Sequence, residues 1–140
     1  MNDARVFFDT NVLLYMYSAA DRVKQARAQE LFRRCSGRML LSTQVVQEFY
    51  VAGERKCGLP HRKMREAAAA LLELPLVIIG REQILSAFGI QEQYRISFWD
   101  ALILSAAESG GAESVYTEDL NDGQRYGAVT VHNPFTSQHG

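Results

Sequence analysis

Short apolar runs alternate with longer amphipathic stretches along the chain. Val6–Phe8 and Leu76–Ile79 are continuous apolar runs that stop at Asp or Gly, a pattern typical of buried strands. Shorter runs predict three more strands, at Met39–Leu41, Ser114–Thr117 and Val129–Val131. Between the strands, apolar residues recur every three or four positions, as they do in helices that bury one face. This alternation indicates an α/β fold with a five-stranded, mainly parallel sheet.

The predicted helices begin at residues that commonly cap helices. Asp9 or Thr10 can cap a short helix over residues 11–18, and Ser42 or Thr43 can cap the helix that follows the second strand. The same spacing predicts further helices over residues 22–35, between Pro60 and Pro75, over residues 83–94 and over residues 98–108. The last helix is apolar on almost every side, so we expect it to be buried, with Trp99 in the core.

The composition is that of a globular protein and limits the classes of partner that the protein can bind. The 140 residues fit one domain, which we expect to span residues 1–140 with a loose tail from residue 133. A net charge of −1 excludes a nucleic-acid binder held by bulk positive charge, so any such contact requires a local patch. The first residues do not resemble a signal peptide, and no apolar run is long enough to span a membrane. We therefore expect a cytoplasmic protein.

Two acidic residues follow predicted strands. Asp9 comes directly after the first strand, and Asp119 comes shortly after the fourth. In open parallel sheets, ligands bind at the carboxyl ends of the strands, so both positions fit a binding site. Each residue also has an ordinary interpretation, because Asp is common at helix caps and in turns.

Two more acids lie inside predicted helices. Glu48 falls at the edge of the apolar stripe of its helix, where it either reaches a cleft or is simply solvated. Asp100 is the only charged residue between Phe98 and Ala107, and a buried charge requires a partner or a metal ion. The alternative is a capping box, in which Ser97 caps the helix and Asp100 lies three residues further on.

The four acids together suggest a metal site. Carboxylates that share a pocket repel one another, and their pKa values rise. A bound Mg²⁺ or Mn²⁺ removes that penalty, because both ions prefer carboxylate and water oxygens. Such a site can bind a phosphodiester and activate a water molecule for in-line attack. The sequence alone does not establish that the four acids meet in space.

Four segments resemble the motifs of PIN-domain nucleases. They read VFFDTNVLL at residues 6–14, STQVVQEF at 42–49, SFWDALI at 97–103 and TEDLNDG at 117–123, in the order and spacing of that family. The resemblance assigns catalysis and metal binding to the four motif acids, which are Asp9, Glu48, Asp100 and Asp119. It assigns supporting roles to neighbouring residues, namely Thr10, Asn11, Thr117 and Asp122.

The chain length resembles that of the VapC toxins of bacterial toxin–antitoxin pairs. This resemblance implies a three-layer α/β/α fold with a five-stranded sheet, and a homodimer. It implies Mg²⁺- or Mn²⁺-dependent endonucleolytic cleavage of transfer, ribosomal or messenger RNA, which inhibits translation and growth. It also implies an antitoxin that inhibits the enzyme by placing a tail in the acidic cleft.

Further surface residues are candidates for contacts with RNA and with a second copy of the chain. The densest basic segment follows the helix of Glu48, and either contacts RNA or is a solvated helix face; its candidate RNA-binding residues are Arg55, Lys56, Arg62, Lys63 and Arg65. An alternative role for Trp99 is to stack on a base. We expect the homodimer to form through the helices after the second strand, where the apolar residues are Tyr50, Met64, Leu71 and Leu72.

Two other functions share part of this sequence pattern. Phosphohydrolases of the haloacid-dehalogenase type also begin with an Asp after the first strand, but Asn11 replaces their second Asp and no Lys follows Lys63. A catalytically inactive PIN-like module that binds RNA or protein would lack one of the four acids, and all four are present. A metal-dependent ribonuclease is therefore the function that the sequence favours.

Overall fold

The computed structural model describes residues 4–136, in which six strands are combined with six helices. The strands are β1 (Arg5–Phe8), β2 (Met39–Ser42), β3 (Leu76–Val77), β4 (Ala112–Tyr116), β5 (Arg125–Tyr126) and β6 (Val129–His132). The helices are α1 (Thr10–Tyr15), α2 (Arg22–Arg34), α3 (Thr43–Cys57), α4 (His61–Leu71), α5 (Arg81–Tyr94) and α6 (Phe98–Ser109). The predicted α/β class is confirmed.

The strands form one sheet in the order β3-β2-β1-β4-β6-β5. Neighbouring strands are parallel except β5 and β6, which are antiparallel. The chain runs outward from β1 to β2 and β3, then returns across the sheet to β4 on the other side of β1. Because parallel crossovers are right-handed, this reversal puts α1 to α4 on one face and α5 and α6 on the other. β1 and β4 flank the reversal, where parallel sheets bind ligands.

The sheet has six strands instead of the predicted five. The additional strand, β5, contains only Arg125 and Tyr126, which are too few residues to give an alternating pattern. It pairs with β6 through a turn at Gly127, whose φ of 61° suits glycine. The third strand ends at Val77, earlier than predicted, because the neighbouring β2 ends at Ser42 and offers no further pairing.

Helix α6 is central to its layer, but its first turn is not buried. Residues 101–107 are buried, and α6 packs on β2, β3, β4 and β6, as its apolar sequence predicts. Trp99, in contrast, is 62% exposed, so the prediction that it belongs to the core is wrong. A crossover helix runs antiparallel to the strands that it joins, so the first turn of α6 lies at the carboxyl edge of the sheet. The strands cover the rest of the helix but do not extend as far as this first turn.

The surface predicted for dimerisation is partly buried inside the protein. Met64 and Leu71 belong to the core, so the prediction is wrong for both residues. Helices α3 and α4 approach so closely at Gly53 that a Cβ atom there would lie 1.9 Å from Cε of Met64. Of the other two predicted residues, Leu72 is exposed and Tyr50 is half-buried. Further exposed apolar side chains lie on α5, among them Leu85 and Phe88.

The segment after β6 is held against α1 and α2 as far as residue 136. The ring of Phe135 packs edge-on against Tyr15, with centroids 4.9 Å apart, and Nε of Arg27 donates a hydrogen bond to the Pro134 carbonyl at 3.0 Å. These contacts involve Pro134 and Phe135 of the predicted loose tail, whose residues 137–140 lie outside the described residues. Within the described part of the chain, no helix has the length and hydropathy that crossing a membrane requires.

Candidate active site

Asp9 lies at the junction of β1 and α1, where both of its carboxylate oxygens are held. Oδ1 accepts a hydrogen bond from the backbone N–H of Thr10 at 2.7 Å, and Oδ2 accepts one from the hydroxyl of Thr117 at 2.7 Å. Asp9 also caps α1, so its ordinary interpretation as a helix cap holds at the same time. Its side chain is nearly enclosed, with the residue 7% exposed.

Burial raises the pKa of Asp9 from 3.8 to about 6, because removal from water disfavours the charged carboxylate. The hydrogen bonds from Thr117 and Thr10 lower this pKa, and the charges of Asp119 and Glu48 raise it. A buried acid with a raised pKa, surrounded by further acids, is typical of a site that binds a positively charged partner.

The end of β4 brings a second acid beside Asp9. β1 and β4 are parallel neighbours with Phe8 opposite Tyr116, so the residues that follow them meet at the carboxyl edge of the sheet. The buried hydroxyl of Thr117 donates to Asp9 and accepts a hydrogen bond from the backbone N–H of Asp119 at 3.1 Å. One hydroxyl group therefore links the two predicted strand-end acids.

Glu118, which lies between Thr117 and Asp119, anchors the outer side of the loop that follows β4. Glu118 accepts hydrogen bonds from the hydroxyl of Tyr15 at 2.5 Å and from the ammonium group of Lys24 at 3.0 Å. These contacts turn Glu118 toward α1 and α2, away from Thr117 and Asp119. The alternation along the chain thus separates a structural acid from the candidate catalytic one.

One face of α3 borders the same site. Glu48 accepts a hydrogen bond from the hydroxyl of Thr10 at 3.2 Å. Gln44, Ala52 and Lys56 are spaced from Glu48 by four or eight residues, so they share its face of the helix. The position of Glu48 at the margin of the apolar stripe, which was ambiguous in the sequence, is the position that reaches the cleft.

Asp100 enters the site from the first turn of α6. Its backbone N–H donates to the hydroxyl of Ser97 at 3.0 Å, so Ser97 caps the helix as the alternative interpretation proposed. Its half-buried side chain nevertheless lines the cleft. Burial raises the pKa of Asp100, the hydrogen bond with Ser97 opposes that rise, and the charge of Asp119 adds to it.

The four acids line one cleft of about 230 Å³, formed by α1, α3, α6 and the loop after β4. Among the lining residues that the structure describes, Lys56 carries the one positive charge. Its Nζ donates a hydrogen bond to Oδ1 of Asn11 at 3.1 Å, and Asn11 also lines the cleft. The cleft is therefore strongly acidic, with a single cation at one end.

The donor set fits a hard cation that keeps part of its water shell. Within residues 4–136, no three His, Cys, Asp or Glu side chains form a ready-made metal cage. Mg²⁺ does not need one, because it retains several waters and usually takes only one or two carboxylates. Asp9, with its raised pKa and both oxygens oriented, and Asp100 both line the cleft and offer carboxylate oxygens to such an ion.

Several predicted site residues lie away from the cleft. Asp122 does not line it, and its Oδ1 accepts a hydrogen bond from the backbone N–H of Asn133 at 2.9 Å. Of the predicted RNA-binding residues, only Lys56 lines the cleft; the exposed remainder are Arg55, Arg62, Lys63 and Arg65. These four extend along the surface of α3 and α4.

The sequence-based assignment of the site missed one cleft residue and gave a second only as an alternative. Gln44 is almost fully buried and lines the cleft, and its spacing of four residues from Glu48 was the available signal. Trp99 also lines the cleft, directly before Asp100 in the chain, a position that fits its alternative role of stacking on a base and not the favoured place in the core.

Comparisons with known proteins agree with this architecture. A family model for the PIN domain matches residues 6–125. Mycobacterium tuberculosis VapC20, described as a toxin that cleaves the sarcin–ricin loop, superposes with a TM-score of 0.67 and 21% identity, covering 81% of this chain and 89% of that one. A search of curated protein sequences found no significant match.

Two further solved structures have the same fold. A chain of a toxin–antitoxin complex from Klebsiella pneumoniae gives a TM-score of 0.71 at 18% identity and covers 93% of this chain and 98% of that one. A chain of a DNA-bound VapBC complex from Salmonella typhimurium gives 0.69 at 18% identity, with coverage of 94% and 98%. Together with the family model, which spans all four acidic motifs, these likenesses establish that the chain belongs to the PIN domain family.

Proposed function

We propose that this protein is a Mg²⁺- or Mn²⁺-dependent endoribonuclease. The observation that carries the proposal is the single cleft in which four separate segments of the chain contribute one carboxylate each. Asp9 is the most strongly perturbed acid of this cleft: its burial and its acidic neighbours raise its pKa to about 6. A bound cation would stabilise the ionised form of Asp9, which burial keeps from being solvated by water.

Each residue of the cleft has a role in this proposal. When bound, the metal ion would neutralise the carboxylates and lower the pKa of a water molecule that attacks the phosphodiester. Asp9 and Asp100 are its proposed direct ligands, and Glu48 and Asp119 act through water or by setting the charge of the site. Thr117 fixes the orientation of Asp9.

Supporting groups orient the remaining acids and the strand. The hydroxyl of Thr10 holds Glu48, and the side chain of Asn11 holds Lys56. Lys56 is suited to contact a phosphate of the substrate, because it is the cation at the end of an otherwise acidic cleft. The ring of Trp99, exposed beside Asp100, is suited to stack on an unpaired base.

The biological role that we propose is that of a toxin in a toxin–antitoxin pair, acting in the cytoplasm on transfer, ribosomal or messenger RNA. Its support is the shared fold with chains of toxin–antitoxin complexes over almost their full length. A basic segment of an antitoxin is suited to occupy the acidic cleft and block it. We further propose a homodimer, for which the exposed Leu85 and Phe88 on α5 offer an apolar surface.

The test is cleavage of total RNA by the purified chain, free of any partner. Cleavage should require Mg²⁺ or Mn²⁺ and stop with EDTA. Asp9→Asn should reduce the rate by more than about 100-fold, since even groups that only support metal ligands are worth 10–100-fold. Asp122→Asn is the matched control, because Asn keeps the oxygen that accepts the hydrogen bond from Asn133. Equal rates for Asp9→Asn and wild type would reject the mechanism, and metal-independent RNA binding without cleavage would indicate an inactive PIN-like module.

A further inference from the structure

Gln44 has a buried oxygen with no partner in the protein. The residue is 8% exposed, and it lines the acidic cleft from the first turn of α3. Among residues 4–136, its Oε1 is the one buried side-chain nitrogen or oxygen without a hydrogen bond. Folded proteins satisfy nearly all such atoms, so an orphaned acceptor beside a cleft marks a place for a hydrogen-bond donor from outside the protein.

In the structure, no neighbouring group of the cleft supplies this donor. Ionised carboxylates only accept hydrogen bonds. The hydroxyl of Thr10 donates to Glu48, the hydroxyl of Thr117 donates to Asp9, and Nζ of Lys56 donates to Asn11. The two hydroxyl protons are thus committed to the carboxylates that they orient, and the remaining N–H groups of Lys56 and Asn11 make no bond to Oε1.

An RNA strand carries one backbone donor that is independent of sequence. Its phosphate oxygens are acceptors, and the donors on its bases differ from one nucleotide to the next. The ribose 2′-hydroxyl is present at every position next to a phosphate, and it is the group by which proteins tell RNA from DNA. A phosphodiester bound near Glu48 has a ribose attached on each side, and Gln44 lies one helical turn from Glu48 on the same face of α3.

We propose that Gln44 is a specificity-determining residue whose Oε1 accepts a hydrogen bond from a ribose 2′-hydroxyl of the bound strand. This assignment rests on the proposed ribonuclease function and adds to it the means by which the cleft prefers RNA over DNA. Glu48, one helical turn away on α3, remains with the acidic groups that bind the cation, while Gln44 reads the sugar.

The test compares Gln44→Met with wild type for binding to fluorescent single-stranded 12-mers of randomised sequence, one pool of RNA and one of DNA. Ca²⁺ replaces Mg²⁺ so that the strands stay intact. Methionine keeps the length of the side chain and removes its polar atoms. Losing one neutral hydrogen bond should weaken RNA binding by about five-fold and leave DNA binding unchanged. Gln47→Met, an exposed position on the same helix, is the matched control and should change neither.

Melting temperatures provide a readout that does not depend on the strand. Because Oε1 is unpaired in the free protein, Gln44→Met should melt at the same temperature as wild type or slightly higher. Mg²⁺ should raise both melting temperatures equally, since the proposed partner of Gln44 is not the metal. A variant that melted several degrees lower, or that lost the response to Mg²⁺, would overturn the assignment by showing a structural or metal-binding role.

The outcomes separate this inference from the function on which it rests. Equal losses for RNA and DNA, or no loss for either, would reject the ribose contact even if wild type cleaves RNA. If wild type cleaved no RNA while Gln44→Met still lost affinity for the RNA pool alone, catalysis would be rejected and the contact with the sugar upheld.

Discussion

Replacing Asp9 with Asn should stabilise the protein in the absence of metal. The carboxylate is ionised at neutral pH, although burial raises its pKa from 3.8 to about 6. At 1.36 kcal/mol for each pH unit, that difference makes the ionised side chain about 3 kcal/mol less favourable in the folded protein than in the unfolded chain. Asn removes this penalty because it carries no charge.

The loss of a hydrogen bond offsets part of this gain in stability. Asn keeps an oxygen for the backbone N–H of Thr10, but its NH₂ group replaces the oxygen that accepts from Thr117. Losing that bond costs about 1 kcal/mol, which leaves a net gain of about 2 kcal/mol. For a domain of this size, the melting temperature should rise by about 6 °C at pH 7.5.

The dependence on pH distinguishes this cause from a general improvement in packing. Because the folded-state pKa lies above the unfolded value, the folded protein holds its proton more tightly, and wild type loses stability as pH rises from about 4 through 6. At pH 4.5 the charge penalty falls to about 1 kcal/mol, which the lost hydrogen bond offsets. Asp9→Asn and wild type should therefore melt together near pH 4.5 and separate as pH increases.

Calorimetry or thermal denaturation with EDTA, repeated with Mg²⁺, measures both effects. At ten times its dissociation constant, a ligand adds about 1.4 kcal/mol to wild-type stability, and Asp9→Asn should lack this response. Glu92→Gln, which neutralises an exposed acid on α5 outside the cleft, should follow wild type both with EDTA and with Mg²⁺. The reasoning fails if Asp9→Asn melts no higher than wild type at pH 7.5, or if Mg²⁺ raises both equally.

Three other changes test the cleft rim, the helix packing and the apolar surface. Trp99→Ala should weaken RNA binding about ten-fold, whereas Trp99→Phe should keep most of it, because stacking requires only an aromatic face; equal losses would count against stacking. Gly53→Ala should lower the free energy of unfolding by about 1–2 kcal/mol, measured by thermal denaturation, because the added Cβ would overlap Met64. Gly89→Ala, whose Cβ would meet open space, should raise the free energy of unfolding by about 0.5–1 kcal/mol. Sedimentation should find a dimer for wild type and a monomer for Phe88→Asp, and a wild-type monomer at micromolar concentration would reject the dimer.

The sequence predicted those parts of the molecule that depend on local pattern. The run that ends at Asp9 defined β1 and its carboxyl end, and the motif at Asp119 marked the neighbouring strand. Asp9 and Asp100 each had a capping interpretation and a cleft interpretation, and the structure satisfies both, because a helix that begins at the edge of the sheet presents its first turn to the cleft.

The features that the sequence did not predict depend on long-range packing. Trp99 lies in an apolar run, and only the position of α6 relative to the sheet leaves its ring exposed. The two residues of β5 form a strand only because β6 supplies their partners. Met64 was expected on a surface, but the absence of a side chain at Gly53 lets α4 bring it into the core.

Two departures from ordinary folding rules coincide in the acidic cleft. Asp9 is a buried acid whose charge the protein disfavours, and Gln44 has a buried oxygen that the protein leaves unpaired. Either feature raises the free energy of the unliganded fold, because the hydrogen bonds from Thr117 and Thr10 offset only part of the cost at Asp9 and no neighbouring residue pairs with Oε1 of Gln44. The two groups need different binding partners: Asp9 needs a positive charge, and Gln44 needs a neutral hydrogen-bond donor. A cation together with a ribose strand provides both, whereas a cation alone leaves Gln44 unpaired, so metal and RNA should each add to stability and their effects should be separable by Asp9→Asn and Gln44→Met.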